Sequence, residues 1–274
     1  CYIYIMSKIV ISGGTGLVGK RLTEMLVDKN HEVVILTRAP KNDNEFKWDI
    51  PKGYIDEKAF ENIDYIIHLA GTGIADKRWT DERKKIIIDS RVESTKLLFN
   101  KVKEYKTPLK GFISASAIGY YGTITSETIF KEEDNPATDF LGDVCLKWEN
   151  SAQIFETLHI PLTILRTGIV LTKKGGALQK MKTPIISPLG SGKQYIPWIH
   201  IEDLCNMYIM AIDNDLTGIY NAVAPQSQTS TTFSKTLAKS LKKLFIPIGV
   251  PSFLLKLIFG EMADILLEGS RVST

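Results

Sequence analysis

Three glycines, Gly13, Gly16 and Gly19, stand at a GxxGxxG spacing directly after a β-branched run, Ile9, Val10 and Ile11, that ends at Ser12. An amphipathic stretch carrying Leu17, Leu22, Met25 and Leu26 follows them. The order is strand, tight turn, helix, and a turn of this kind can hold the pyrophosphate of a dinucleotide. Gly13 is placed to take backbone angles barred to other residues, Gly16 to let the main chain approach the phosphates, and Gly19 to let helix and strand pack closely. The free N–H groups and positive dipole end of the helix then hold the anion. The whole turn, Gly13, Gly14, Thr15, Gly16, Leu17, Val18 and Gly19, is therefore the expected phosphate cradle. A glycine turn of purely structural purpose is the competing reading. Position decides between them, because the turn opens the first strand and helix and a second strand, 32–37, follows at βαβ distance.

The second strand ends in Thr37 and Arg38, about twenty residues beyond the glycines. A site for NAD usually places Asp or Glu there to bind the ribose hydroxyls, whereas an arginine pairs with the extra phosphate of NADP. Arg38 therefore points to NADP over NAD, and it also argues against a flavin. The competing reading is a solvent-facing arginine at a strand end. Further cofactor contacts are expected at Asp49, facing the adenine, and at Leu69, Ala70 and Gly71, where small residues at a strand end let a flat group lie against the backbone. Arg91, within a long helix, is placed to turn its guanidinium toward the phosphates, and Val170 completes the expected set.

Hydroxyls cluster at the end of the fifth strand, in the run Ser114, Ala115, Ser116, Ala117, Ile118, Gly119, Tyr120, Tyr121, Gly122. Beside a nicotinamide, such groups would face the carbonyl or alcohol that exchanges hydride. Ser116, Tyr120 and Tyr121 are the candidate catalytic residues, against the alternative of a polar strand end with two packing tyrosines.

The elements that position these residues alternate along the first part of the chain. Strands are expected at 9–12, 32–37, 46–49, 63–69, 110–115 and 162–171, with helices at 80–105 and 140–158. After 171 this rhythm stops in a stretch rich in Gly, Pro and Lys, and the remaining elements are a helix opened by 197–203, a strand at 218–223 and helices at 229–244 and 251–267. The expected fold is α/β, a Rossmann doubly wound parallel sheet with a smaller, mostly helical C-terminal substrate or lid domain. Residues 7–172 and 196–216 are assigned to the dinucleotide-binding domain; 173–195 and 217–274 are assigned to the lid, which does not continue the sheet.

Composition narrows the partners. The 274 residues are 44% hydrophobic and 24% charged, with a formal net charge of +3, and the mean hydropathy is -0.02. The densest basic clusters, Arg83, Lys84, Lys85 and Lys242, Lys243, read as solvated helix faces, so nucleic acid is not an expected partner. No apolar run reaches the ~18 residues of a membrane span, so no membrane is expected. Cys1, Cys145 and Cys205 are far apart, and His31, His68, His159 and His200 lack ligand spacing. No disulfide framework and no metal follow, and a reducing cytoplasm fits. His68 itself reads as structural. The first five residues, ahead of Met6, read as an extension before the natural start. Phe253, Leu254, Leu257, Ile258 and Phe259 exceed one helical stripe, which calls for cover by the lid, by a homodimer partner or by further chain.

Taken together, the Gly13 to Gly19 turn and the stretches 36–40, 68–71, 90–95, 114–122, 165–171, 197–204 and 260–272 resemble the extended short-chain dehydrogenase/reductases. Within them the chain is similar to an atypical branch of NAD(P)-dependent sugar-nucleotide epimerase-like proteins, some of whose members are called cell-division inhibitors. The resemblance covers 7–272 and implies a Rossmann domain, a preference for NADP, and a small C-terminal domain of unassigned role that continues past Thr274. Active relatives carry a Tyr and a Lys one helical turn apart, the Tyr acting as acid and base and the Lys lowering its pKa. With Glu149 as the anchor, these positions fall here on Leu141 and Cys145, which cannot do that work. Tyr4 with Lys8 and Tyr54 with Lys58 have the spacing but the wrong place. What remains is a relay through Ser116 with Tyr120 or Tyr121. Two functions stay open: an NADP-dependent oxidoreductase or epimerase (isomerase) acting on a small polar or nucleotide-linked substrate, and a regulatory or assembly protein that binds NADP without turnover.

Overall fold

The computed structural model describes residues 6–274; Cys1 and Tyr4, and with Tyr4 its spacing to Lys8, lie outside the described residues. Eight strands form the central sheet: β1 (Lys8–Ser12), β2 (Glu32–Thr37), β3 (Glu45–Asp49), β4 (Tyr54–Ile55), β5 (Tyr65–His68), β6 (Gly111–Ala117), β7 (Leu162–Thr167) and β8 (Gly218–Ala222). Their order is β8-β7-β6-β5-β1-β2-β3-β4, and every neighbouring pair is parallel except β3 with β4. β1 therefore pairs with both β2 and β5, and the strand order reverses on either side of it. In a sheet of this kind the crevice for a ligand opens at that point, outside the carboxyl ends of the strands.

The strands are nearly continuous apolar runs because both faces are covered. Ile9, Ile11, Val33, Ile35, Ile67 and Leu165 share one core with Leu22 and Leu26 of α1 (Leu17–Asp28) and with the apolar side of α5 (Ile201–Asp213). Val10, Val34, Leu36, Ile66, Phe112 and Ile164 point the other way. They pack with Leu97, Leu98 and Val102 of α2 (Asp81–Tyr105) and with Ala152 of α3 (Phe140–Gln153). Thr80 caps α2 by accepting from the Arg83 N–H, and Asp139 caps α3 by accepting from the Gly142 N–H.

Several boundaries differ from expectation. The sheet does continue after residue 171: β8 joins its edge beside β7, with Asn221 opposite Arg166. The run expected as one strand over 162–171 breaks at Gly168, where a Cβ would stand 2.8 Å from the Pro197 carbonyl oxygen. Its second part, Ile169–Thr172, leaves the sheet, pairs with Trp198–His200 and leads into the short α4 (Gly176–Met181). The expected apolar helix over 251–267 is α7 (Ser252–Phe259), a 3₁₀ turn from Gly260, where φ is +62°, and a short segment Asp264–Leu267. The helix expected over 229–244 is α6 (Ser230–Leu241), which stops before Leu244; that residue pairs with Ile185 in a small two-stranded sheet. The lid buries Leu255 but leaves Phe253, Leu257 and Ile258 exposed. No helix is long and apolar enough to cross a membrane, among the described residues.

Candidate functional site

The β1–α1 turn closes on itself in the way the glycine spacing asks. Gly13 has φ +78°, and a Cβ there would stand 2.9 Å from the Ala70 nitrogen, so this loop and the one after β5 touch backbone to backbone. At Gly19 a Cβ would lie 2.4 Å from the Gly13 oxygen, and at Gly14 it would meet Ile35 at 2.8 Å. Gly19 thus seats the helix on the turn itself rather than on the strand. Gly16 is the N-cap of α1; no side chain caps it and no acidic residue stands in the first turn. Early N–H groups of α1 are thus left to an anion, with the helix dipole favouring it. Thr15 and Gly16 are exposed, while Leu17 and Val18 pack against the core cluster that also holds Val170. Leu17 further touches the Gly175–Gly176 backbone. A cradle that Cβ atoms would fill, beneath an uncapped helix, fits a pyrophosphate.

The other expected cofactor residues fall around this turn in different ways. Arg38 is exposed at the end of β2 and makes no ion pair among the described residues. Thr37 accepts from the Ala39 N–H at 3.4 Å. Asp49 accepts from the Lys52 N–H at 3.3 Å and lies 3.7 Å from its ammonium, so it serves its own turn. Leu69 and Ala70 run beside Gly13, and Gly71 lies against the Arg91 side chain. Arg91 packs against the loop after β5, where a Cβ at Gly71 would stand 3.2 Å from its guanidinium carbon. Its Nη1 donates to the carbonyls of Thr72 (3.1 Å) and Ile87 (2.9 Å), and its guanidinium lies 4.9 Å over the Trp148 ring. His68 is wholly buried between the Ser12 hydroxyl at 2.5 Å and the Ser94 hydroxyl at 3.1 Å. Burial pushes its pKa down to about 3, which keeps it neutral and structural.

Ser116, Tyr120 and Tyr121 are brought together, but around an ion pair. Ser116 donates to Glu149 Oε1 at 2.6 Å, and Arg166 grips both oxygens of that carboxylate at 2.9 Å. Arg166 Nη1 also donates to the Tyr121 hydroxyl, which in turn donates to Asn221 at 2.7 Å. The Arg166 guanidinium lies 3.4 Å over the Tyr120 ring. Burial raises the pKa of both tyrosines, and neither phenol lines the adjacent cleft. The three candidates therefore surround a buried charge pair: Ser116 and Tyr121 hydrogen-bond to it, and the Tyr120 ring packs under the guanidinium. The signal for that pair is Arg166 itself, a lone charge inside the apolar run over 162–171.

The cleft next to this network has a volume of about 280 Å³ and lies between the sheet's carboxyl edge and the lid. Leu141 and Cys145 line it, both beside Gly119: a Cβ there would come to 3.3 Å from the Leu141 Cβ and 3.6 Å from the Cys145 sulfur. The two positions that the resemblance, anchored on Glu149, assigns to a Tyr and a Lys thus present an apolar side chain and a thiol to the cavity. Burial pushes the Cys145 thiol up to about 12, so it remains protonated and inert at neutral pH. Trp148 and Gln194 also line the cleft; the indole N–H of one and the Oε1 of the other are buried without a partner. Sequence reasoning did not single out either residue, and only their neighbours across the cleft give them meaning. The lid is tied on by Lys84 to Glu261 at 2.7 Å and Ser270 to the Gly122 oxygen at 2.9 Å, and Gln194 Nε2 donates to the Leu266 oxygen at 2.8 Å within it.

Comparison with known proteins places this geometry in context. Residues 9–141 match the model of the NAD dependent epimerase/dehydratase family, and residues 250–274 match a domain of unknown function, DUF1731. An epimerase family protein of Staphylococcus aureus (strain NCTC 8325) is 36% identical, over 97% of this chain and 91% of its own. The crystal structure of the human epimerase family protein SDR39U1 with NADPH superposes with a TM-score of 0.85 at 31% identity, covering 97% of this chain and 90% of that one. That of a nucleoside-diphosphate sugar epimerase from Corynebacterium glutamicum gives a TM-score of 0.78 at 29% identity. It covers 98% of this chain and 53% of its own.

Proposed function

The chain belongs to the NAD dependent epimerase/dehydratase family, and on that premise we propose that it binds NADP(H) at the Gly13–Gly19 turn and exchanges hydride with a small substrate in the adjoining cleft. The observation that carries the cofactor half is the uncapped start of α1 over a cradle that Cβ atoms would fill. The NADPH complex of SDR39U1, a relative similar over nearly the whole chain, supports the same assignment. NADP(H), when bound, supplies or accepts hydride.

Each protein group then has a defined task. The amides of the turn hold the pyrophosphate, and Arg38, exposed and unpaired among the described residues, grips a ribose 2′-phosphate. Leu69, Ala70 and Gly71 give the cofactor a flat floor. Leu141, Cys145 and Trp148 keep water from the reacting centre. Among the described residues no phenol assisted by a lysine lines the cleft, and the Tyr195 hydroxyl that does line it donates to Glu127, so the usual acid–base pair of the active relatives is missing there. Leu141 and Cys145 favour a second reading, in which the chain binds NADP(H) and responds to its redox state without turning a substrate over. Either way, we place the protein in the cytoplasm.

The test is to load the purified protein with NADP⁺ or NADPH and follow reduced-nicotinamide absorbance across sugars, nucleotide sugars and small carbonyl compounds, with product analysis for epimers. Turnover of one class supports hydride exchange. Tight cofactor binding with silence across the panel selects the second reading.

A further inference from the structure

We propose that the cleft binds a small apolar monocarboxylate, its carboxylate held by Arg91 and the Trp148 indole N–H, in place of a nucleotide-linked sugar. The inference deepens the reading above, since it names the substrate class of the same cleft, and it depends on that reading only for where hydride is exchanged.

The unpartnered donors carry the argument. Arg91 Nε and Trp148 Nε1 are both buried without a hydrogen-bond partner, and both residues line the cleft, the guanidinium 4.9 Å from the indole ring centre. Arg91 spends Nη1 on two main-chain carbonyls and forms no ion pair among the described residues. A buried cation without a counter-charge is costly, and buried donors in native proteins are almost always matched. Two such donors on one wall of a cavity describe the place of an absent acceptor. The planar fork of an arginine, with an indole beside it, suits a carboxylate.

The rest of the cleft sets the class. Most of its other lining is apolar, with Ile74, Leu141, Val144, Ile169, Leu189 and Ile196 among it. Among the described residues, Arg91 and Glu268 are the only Asp, Glu, Lys or Arg side chains that line it, and Glu268 is hydrogen-bonded to Thr125. A nucleoside diphosphate would bring at least two negative charges to a site with one cation and one carboxylate. The volume, about 280 Å³, is at the small end of the usual ~300–1,000 Å³ of ligand sites.

The experiment is calorimetric titration of the full chain, with and without NADP⁺, using phenylacetate as the probe and phenylacetamide and UDP-glucose as comparators. Phenylacetate is expected to bind about tenfold tighter than either comparator. Arg91→Met is expected to weaken phenylacetate by about tenfold while leaving NADP⁺ affinity within about threefold, with Arg91→Lys recovering part of the loss. Trp148→Phe is expected to weaken phenylacetate by about fivefold. Equal binding of phenylacetate and its amide overturns the proposal, and so does tighter binding of UDP-glucose. Loss of NADP⁺ affinity in Arg91→Met with phenylacetate unaffected also overturns it, because it assigns the arginine to the cofactor phosphates. If Arg91→Met does not fold, the comparison of acid with amide on the unmodified protein decides. Phenylacetate binding without NADP⁺ binding would sink the cofactor reading and leave this one standing.

Discussion

Arg166 and Glu149 meet in a bidentate ion pair inside the protein, with Nε to Oε1 and Nη2 to Oε2 both at 2.9 Å and side chains 1% and 4% exposed. The pair stands in the row Ser116, Arg166, Asn221 that runs across β6, β7 and β8, and it orders the hydroxyls around it. Removing one partner leaves the other charged and buried. Glu149→Gln and Arg166→Met should therefore each cost roughly 3–5 kcal/mol in denaturant or thermal unfolding. The double variant should cost clearly less than the sum, and single-variant losses below about 1 kcal/mol would contradict this role.

Ser116→Ala and Tyr121→Phe separate structure from catalysis. Because Ser116 is bonded to Glu149, and Tyr121 to Arg166 and Asn221, each change should cost about 1–3 kcal/mol of stability. Cofactor affinity should stay within about threefold. A large loss of turnover at unchanged stability would instead restore them to the chemistry.

His68 makes stability depend on pH in a defined direction. Burial lowers its pKa from 6.5 to about 3, so between these values the unfolded chain takes a proton that the folded protein refuses. Stability is therefore fully present above pH 6.5 and falls as pH drops toward 3, with a slope of roughly 1.4 kcal/mol per pH unit from this residue. His31, lowered by burial in the same direction, adds to the fall. His68→Asn should remove one proton's worth of slope in unfolding measured across that range, and an unchanged slope would argue that the imidazole is already charged.

Gly19→Ala tests the cradle. Its Cβ would stand 2.4 Å from the Gly13 oxygen and 2.6 Å from the Gly14 Cα, both main-chain atoms that cannot swing aside. The variant should lose about 1–3 kcal/mol of stability and much of its dinucleotide affinity. Retention of both would show that the turn has room the structure does not.

The sequence exposed some parts of this arrangement more readily than others. The glycine turn and β2 were legible because local spacing alone specifies them. β8 was legible as a strand at 218–223, but its place in the sheet was hidden, because that place comes from pairing with β7 across a long connection. The break at Gly168 and the end of α7 depend on contacts with Pro197 and Arg78, far away in sequence. The exchange of roles at Ser116, Tyr120 and Tyr121 was hidden for the same reason: a strand-end hydroxyl looks catalytic until its buried partner is known. Arg166, alone among apolar neighbours, was the clue within reach.

The central claim is a dinucleotide held by main-chain amides, with its adenosine 2′-phosphate on Arg38. Calorimetry with NADPH and NADH, on the unmodified chain and on Arg38→Ala, tests it most directly. NADPH should bind tighter than NADH by about tenfold or more, and Arg38→Ala should erase that preference while leaving NADH affinity nearly unchanged. Binding of neither dinucleotide, or a preference that survives the loss of Arg38, would contradict the account.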